Sequence, residues 1–142
     1  MRVPLVWLFN SLLVANGAFM LALPAMWYGI VPGVIDTGQF NPHFIRDIGC
    51  AYLVSGGALL WFCLDRRARP AAVAGAAFLT LHALVHFWDA AAGRETLWQL
   101  LLDLPTVILP GLLVFKIARP RSRHRTEDHH VDMVDAAAPR RF

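Results

Sequence analysis

Residues 70–88 read PAAVAGAAFLTLHALVHFW and decide the fold class, because none of them is Lys, Arg, Asp or Glu. An α-helix of that length, at about 1.5 Å per residue, crosses the hydrocarbon core of a bilayer. The whole chain agrees: 57% of its 142 residues are hydrophobic and 16% are charged, whereas a soluble domain usually carries about 25% charged residues. The sequence therefore predicts a small all-α integral membrane protein with a single transmembrane domain.

Other long uncharged stretches predict three more membrane-spanning helices. Asn41 and Pro42 are favoured at the N-cap and the first helical position, so the second helix is expected to begin there. Pro24 and Pro32 are expected to kink or end the first stretch. A cleaved signal peptide is the rival interpretation of that stretch, but the apolar run is long and lacks a clear small-residue cleavage site. We expect an integral membrane four-helix bundle with helices over residues 4–28, 41–64, 70–92 and 96–118.

The positive charges give this bundle a direction. Of 13 Lys and Arg residues, all but Arg46 and Arg94 lie on one predicted side of the membrane. The positive-inside rule then places both termini in the cytoplasm (N-in/C-in) of a multi-pass protein of the bacterial inner (plasma) membrane. The same placement accounts for the basic pI, so nucleic acid is not an expected partner. Residues 119–142 are expected to form a disordered cytoplasmic tail whose basic start binds anionic membrane lipids.

Two cysteines lie on the second predicted helix, Cys50 and Cys63. Thirteen residues of helix separate them by roughly 20 Å, far beyond the reach of a disulfide. Thiol exchange within one chain is therefore not expected, and both are interpreted as small apolar core residues.

The candidate site consists of ionisable residues inside these apolar helices, where they are costly unless paired or hydrated. His82, His86 and Asp89 share one face of the third helix, because spacings of four and three bring side chains together. His43, Arg46 and Asp47 share one face of the second helix in the same way, because they are three and four residues apart. Counted along the helices, all these groups and one aspartate of the fourth helix lie within about 15 Å of the predicted outer ends. Helices two, three and four are therefore expected to surround a polar pocket formed by His82, His86, Asp89, Asp47, Asp103, Arg46 and His43.

Three interpretations of this polar layer stay open. In the first, Arg46 pairs with one of the three aspartates in a closed salt-bridge network that only locks the bundle. In the second, His82, His86 and Asp89 bind a divalent metal, since imidazole and carboxylate suit Zn, Mn or Fe. In the third, the histidines exchange protons or hydrogen bonds with the polar head of a lipophilic ligand whose apolar body lies inside the bundle.

The segment PGVIDTGQFNPHFIRDIGCAYLVSGG at residues 32–57, followed by HALVHFWD at residues 82–89, resembles the small DoxX-like membrane proteins, in particular a bacterial subgroup of them. The resemblance covers about residues 4–118 and implies a four-helix transmembrane bundle. Some relatives in that grouping are linked to quinone or sulfur-compound redox partners, and others have no known activity. The paired cysteines of the thiol-redox branches are missing here.

The leading hypothesis is a protein that binds a lipophilic or quinone-like ligand near the outer face, possible cofactors being a quinone or a divalent metal, as an accessory to a membrane redox system. The two histidines would contact the ligand, the aspartates would tune them, and Arg46 would balance charge or hold an anionic head group. A metal-dependent membrane enzyme and a structural or partner-binding subunit without ligand are the alternatives, and a homo-oligomer is compatible with each. Whether the chain is an enzyme stays open. Transport is less favoured, because four spans leave little room for alternating access and no inverted repeat is visible.

Overall fold

The computed structural model describes residues 3–94 and 96–104, apart from the side chains of Val3 and Asp103. Every regular element in these residues is helical. Three of the helices are long and apolar enough to cross a membrane, so the chain is an all-helical membrane protein. Short 3-10 turns over Val34–Asp36 and Arg66–Ala68 connect some of the helices. The α-helices are α1 (Val3–Ala22), α2 (Pro24–Ile30), α3 (Pro42–Leu64), α4 (Arg69–Ala91) and α5 (Leu97–Asp103).

The predicted helix over residues 4–28 is divided at Leu23 into α1 and α2. Pro24 causes the division, because it has no N–H to continue the helical hydrogen bonds and its ring disturbs the preceding turn. The predicted helices over residues 41–64 and 70–92 correspond to α3 and α4. Of the helix predicted over 96–118 the structure describes α5, and the remainder lies outside the described residues together with the predicted tail at 119–142.

Caps fix the points at which α3 and α5 begin. The Asn41 side chain accepts hydrogen bonds from the backbone N–H groups of His43 and Phe44, both at 3.1 Å, and Pro42 follows it in the first turn. Thr96 and Gln99 form a reciprocal capping box at the start of α5. Side-chain acceptors at these positions satisfy N–H groups that have no partner within their own helix. The N-cap predicted at Asn41 is therefore confirmed.

The helix α3 is central in the described structure. It packs against α1 on one side and α4 on another, whereas α1 and α4 do not contact each other in the described part of the chain. The helices α1 and α3 run antiparallel, since Asn10 donates to Cys63 Sγ at 3.5 Å while Gly17 lies against Gly49. The helix α5 packs on α4. We call the end that holds residues 31–41 and 92–96 the loop end, and the end that holds residues 65–69 the turn end.

Glycines let α3 approach both neighbouring helices closely. A Cβ at Gly17 would lie 2.7 Å from the Gly49 carbonyl oxygen and 2.9 Å from the Leu53 nitrogen. A Cβ at Gly75 of α4 would lie 3.0 Å from both Cα and O of Ser55. Small residues at such points are typical of helix pairs in membranes, because lipid supplies little hydrophobic drive and close packing must replace it.

We expect Gly17→Ala to lower the free energy of unfolding by about 1–3 kcal/mol, because the new methyl group meets backbone atoms that cannot rotate away. Gly57→Ala is the matched control. It adds the same methyl group to α3 where nothing lies within 4 Å, and alanine has the higher helix propensity. Thermal unfolding in one detergent measures both variants, and equal midpoints would contradict the proposed contact.

Candidate functional site

The candidate site is a row of stacked rings on α4 that meets one tyrosine of α3. His82 stacks on Phe78 with centroids 5.9 Å apart and planes 13° from parallel. His86 meets His82 edge-on at 4.9 Å. Tyr52 of α3 presents its ring edge-on to His82 at 5.8 Å and to Phe78 at 5.9 Å. We call these four residues the histidine cluster, and it confirms that His82 and His86 share one helical face.

Packing fixes the orientation of the rings in this cluster. Tyr52 is 8% exposed, and both histidines are partly buried. The close contact of Ser55 with Gly75 brings α3 and α4 together one turn from Tyr52. Edge-to-face and stacked ring pairs are favourable beyond the area that they bury. The His82 imidazole is therefore held between α3 and α4, and the His86 imidazole lies against it on α4.

An open groove of about 440 Å³ lies between α3 and α4 and reaches the histidine cluster. Phe78 lines this groove and also stacks on His82. The groove walls are small or apolar, and the volume lies within the range of about 300–1,000 Å³ typical of small-molecule sites. An apolar body in the groove would thus contact the Phe78 ring, which in turn stacks on His82. The lining includes Ala51, Ser55 and Ala58 of α3 and Ala74, Gly75 and Phe78 of α4.

Two of the predicted carboxylates form local ion pairs. Asp47 lies 3.4 Å from His43 Nε2 on the same helix, and their side chains are 60% and 88% exposed. Asp89 accepts a hydrogen bond at 2.9 Å from Arg94, just beyond the end of α4. Exposed pairs of this kind contribute little to stability. The structure therefore places His43, Asp47 and Asp89 in pairs at the loop end.

Arg46 has a different partner from the one expected. Its Nε donates to the backbone carbonyl of Leu21 at 3.4 Å, and no pair with Asp47 or Asp89 occurs in the described residues. The division before Pro24 leaves carbonyls at the end of α1 without helical N–H partners, and a cation is favoured at a helix C-terminus. Pro24 is the sequence feature from which this contact could have been predicted, because it breaks the helix just after Leu21. A pair between Arg46 and Asp103 lies outside the described side chains.

A tryptophan bridges the same helix break. Trp27 of α2 donates from its indole N–H to the Asn16 side chain of α1 at 2.9 Å. Tyr28 holds the following loop by donating to the Gly38 carbonyl at 2.6 Å. The hydrogen bond therefore joins α1 to α2 across the break. These contacts fix the direction of α2 after the break and so position the loop end beside Arg46.

The predicted metal ligands are dispersed in the described structure. Within residues 3–94 and 96–104, no three side chains of His, Cys, Asp or Glu are grouped so that they could hold a metal ion. His82 and His86 lie together, but the carboxylate of Asp89 is engaged by Arg94. The Asp103 side chain lies outside the described part, so its predicted place in the cluster stays a prediction.

Comparison of the chain with protein-family models, curated proteins and solved structures finds no match. The functional conclusions below therefore rest on the residues and geometry of this chain.

A double-mutant cycle tests the ion-pair assignment. Asp89→Asn combined with Arg94→Gln is expected to show a coupling of about 0.2–1 kcal/mol in the free energy of unfolding, a small value because Arg94 is well exposed. Asp89→Asn combined with Arg46→Gln is the control and is expected to show none. Unfolding by a denaturing detergent in mixed micelles measures both cycles. Coupling confined to Arg46 would contradict the assignment.

Proposed function

We propose that the chain binds a lipophilic, quinone-like ligand with its body in the α3–α4 groove and its polar head at the histidine cluster, as an accessory to a membrane redox system. One observation carries the proposal: Phe78 lines the groove and stacks on His82. A ligand with an apolar body and a carbonyl-bearing ring matches an apolar groove followed by an aromatic ring and an imidazole.

Imidazole suits the head group of such a ligand. A neutral imidazole has one N–H donor and one acceptor nitrogen, so it can hydrogen-bond a quinone carbonyl or exchange a proton with a quinol hydroxyl. The ring centroids of the two imidazoles are 4.9 Å apart, so a second proton acceptor lies next to the first in this proposal. Asp89 and Asp103 tune the histidines in this proposal. Arg46 does not contact the ligand in this proposal, because its guanidinium donates a hydrogen bond to the Leu21 carbonyl.

The proposal includes four spans, with both termini in the cytoplasm of a bacterium. The capping box at Thr96 and the packing of α5 on α4 support a fourth span that begins at the loop end. The arginines at positions 66, 67 and 69 support a cytoplasmic turn end, because loops rich in Lys and Arg stay on that side.

Reporter fusions test this topology. A fluorescent protein that matures in the cytoplasm is expected to be bright when fused after Arg67 or Phe142, because the positive charges lie there. A phosphatase that is active only outside the cytoplasm is expected to work after Gly38 or Arg94. Phosphatase activity after Phe142 would mean an odd number of spans and would contradict the proposed fourth helix.

Ligand retention tests the site itself. Protein purified in mild detergent is extracted with organic solvent, and the extract is analysed by mass spectrometry. We expect a retained quinone or related lipid, and an at least about tenfold loss of it in the His82→Ala/His86→Ala variant, because the head group loses its hydrogen bonds. The matched control, His129→Ala/His130→Ala in the tail, is expected to retain the ligand.

Three other outcomes of this experiment would contradict the proposed ligand site. Unchanged retention in His82→Ala/His86→Ala, with an unchanged unfolding midpoint, would overturn the proposed site. Elemental analysis of the same sample covers the metal alternative: about one metal per chain, lost in Asp89→Ala, would replace the proposal with a metal-dependent enzyme. A stable protein with neither ligand nor metal would replace it with a structural or partner-binding subunit.

A further inference from the structure

The short connection between α3 and α4 concentrates positive charge at the turn end. Residues 65–69 read DRRAR and include the 3-10 turn Arg66–Ala68. The one acid among them, Asp65, accepts a hydrogen bond from the backbone N–H of Arg67 at 2.8 Å. No carboxylate pairs with the side chain of Arg66 or Arg67 among the described residues. Two exposed guanidinium groups are therefore left for an anion from outside the fold.

Apolar side chains lie directly beside these charges. The Arg66 guanidinium lies over the Phe62 ring, 4.7 Å from its centroid. Trp61 is 56% exposed and Leu64 is 76% exposed at the end of the same helix. Tryptophan is enriched where hydrocarbon meets the headgroup layer. The basic turn thus lies where a membrane-spanning apolar surface ends.

We propose that this basic turn, Arg66 and Arg67 with Trp61 and Leu64 beside them, binds the phosphate head group of an anionic phospholipid. Guanidinium groups match phosphate oxygens in geometry and charge. The apolar side chains next to them fit the acyl chains of the same phospholipid. A soluble phosphate has no acyl chains and cannot use this apolar surface. The surface lies at the opposite end of α4 from His86, so the inference stands independently of the proposed ligand site.

Lipid titration by native mass spectrometry, on full-length protein in a neutral detergent, tests this surface. Phosphatidylglycerol and phosphatidylcholine with identical acyl chains are compared, and glycerol phosphate is added alone as the soluble arm. The unmodified protein is expected to prefer phosphatidylglycerol and to ignore glycerol phosphate. The Arg66→Gln/Arg67→Gln variant is expected to lose about 25-fold of that preference, because each basic residue near an anionic membrane surface contributes roughly a factor of five.

The control removes the same charge from the far end of the tail, as Arg140→Gln/Arg141→Gln, and is expected to keep the preference. Arg66→Lys/Arg67→Lys is expected to retain most of it, since the charges remain. Asp65 contacts the Arg67 backbone, so the glutamine variant keeps that turn contact. A preference that survives in Arg66→Gln/Arg67→Gln, or that falls equally in the tail variant, would overturn the proposal. Binding of glycerol phosphate equal to that of phosphatidylglycerol would also overturn it.

Discussion

The structure depends on the close contact of α3 with its two neighbours through residues that lack bulky side chains. Gly17 meets the backbone of α3 at Gly49, and Gly75 meets the backbone of α3 at Ser55. In lipid, apolar side chains gain little by leaving their solvent, so helix pairs are stabilised by dense contact and by hydrogen bonds between helices. Each pair here has such a contact. The α3–α4 contact also sets the distance at which Tyr52 reaches His82 across the two helices.

A single proline has consequences for four other residues. Pro24 divides the first membrane helix and leaves carbonyl groups near the end of α1 without helical donors. Arg46 donates to one of them, the Leu21 carbonyl. Trp27 holds the two segments together through Asn16. Among the described side chains, Arg46 thus contacts a backbone carbonyl, whereas Asp47 and Asp89 lie beside other residues.

The sequence was sufficient for features that depend on one helix at a time. The charge-free stretch at residues 70–88 predicts a span, Asn41 predicts the start of α3, and a spacing of four puts His82 and His86 together. The His43–Asp47 pair has the same local spacing. Contacts between helices were different: the partner of Arg46 lies 25 residues earlier. Depth can be counted along a helix, but the rotation of each helix and its neighbours depend on packing that one sequence does not specify.

The local character of the ion pairs bears on how α3 and α4 are held together. A closed network joining Arg46 to aspartates of other helices would have explained every polar residue by the need to hold the bundle together. In the described residues, Asp47 pairs within its helix and Asp89 pairs with the residue five positions on, so neither joins α3 to α4. Glycine and small-residue contacts already join those helices. In the described residues, α3 and α4 are therefore joined by the approach of their backbones and by the contact of Tyr52 with His82, and not by Asp47 or Asp89.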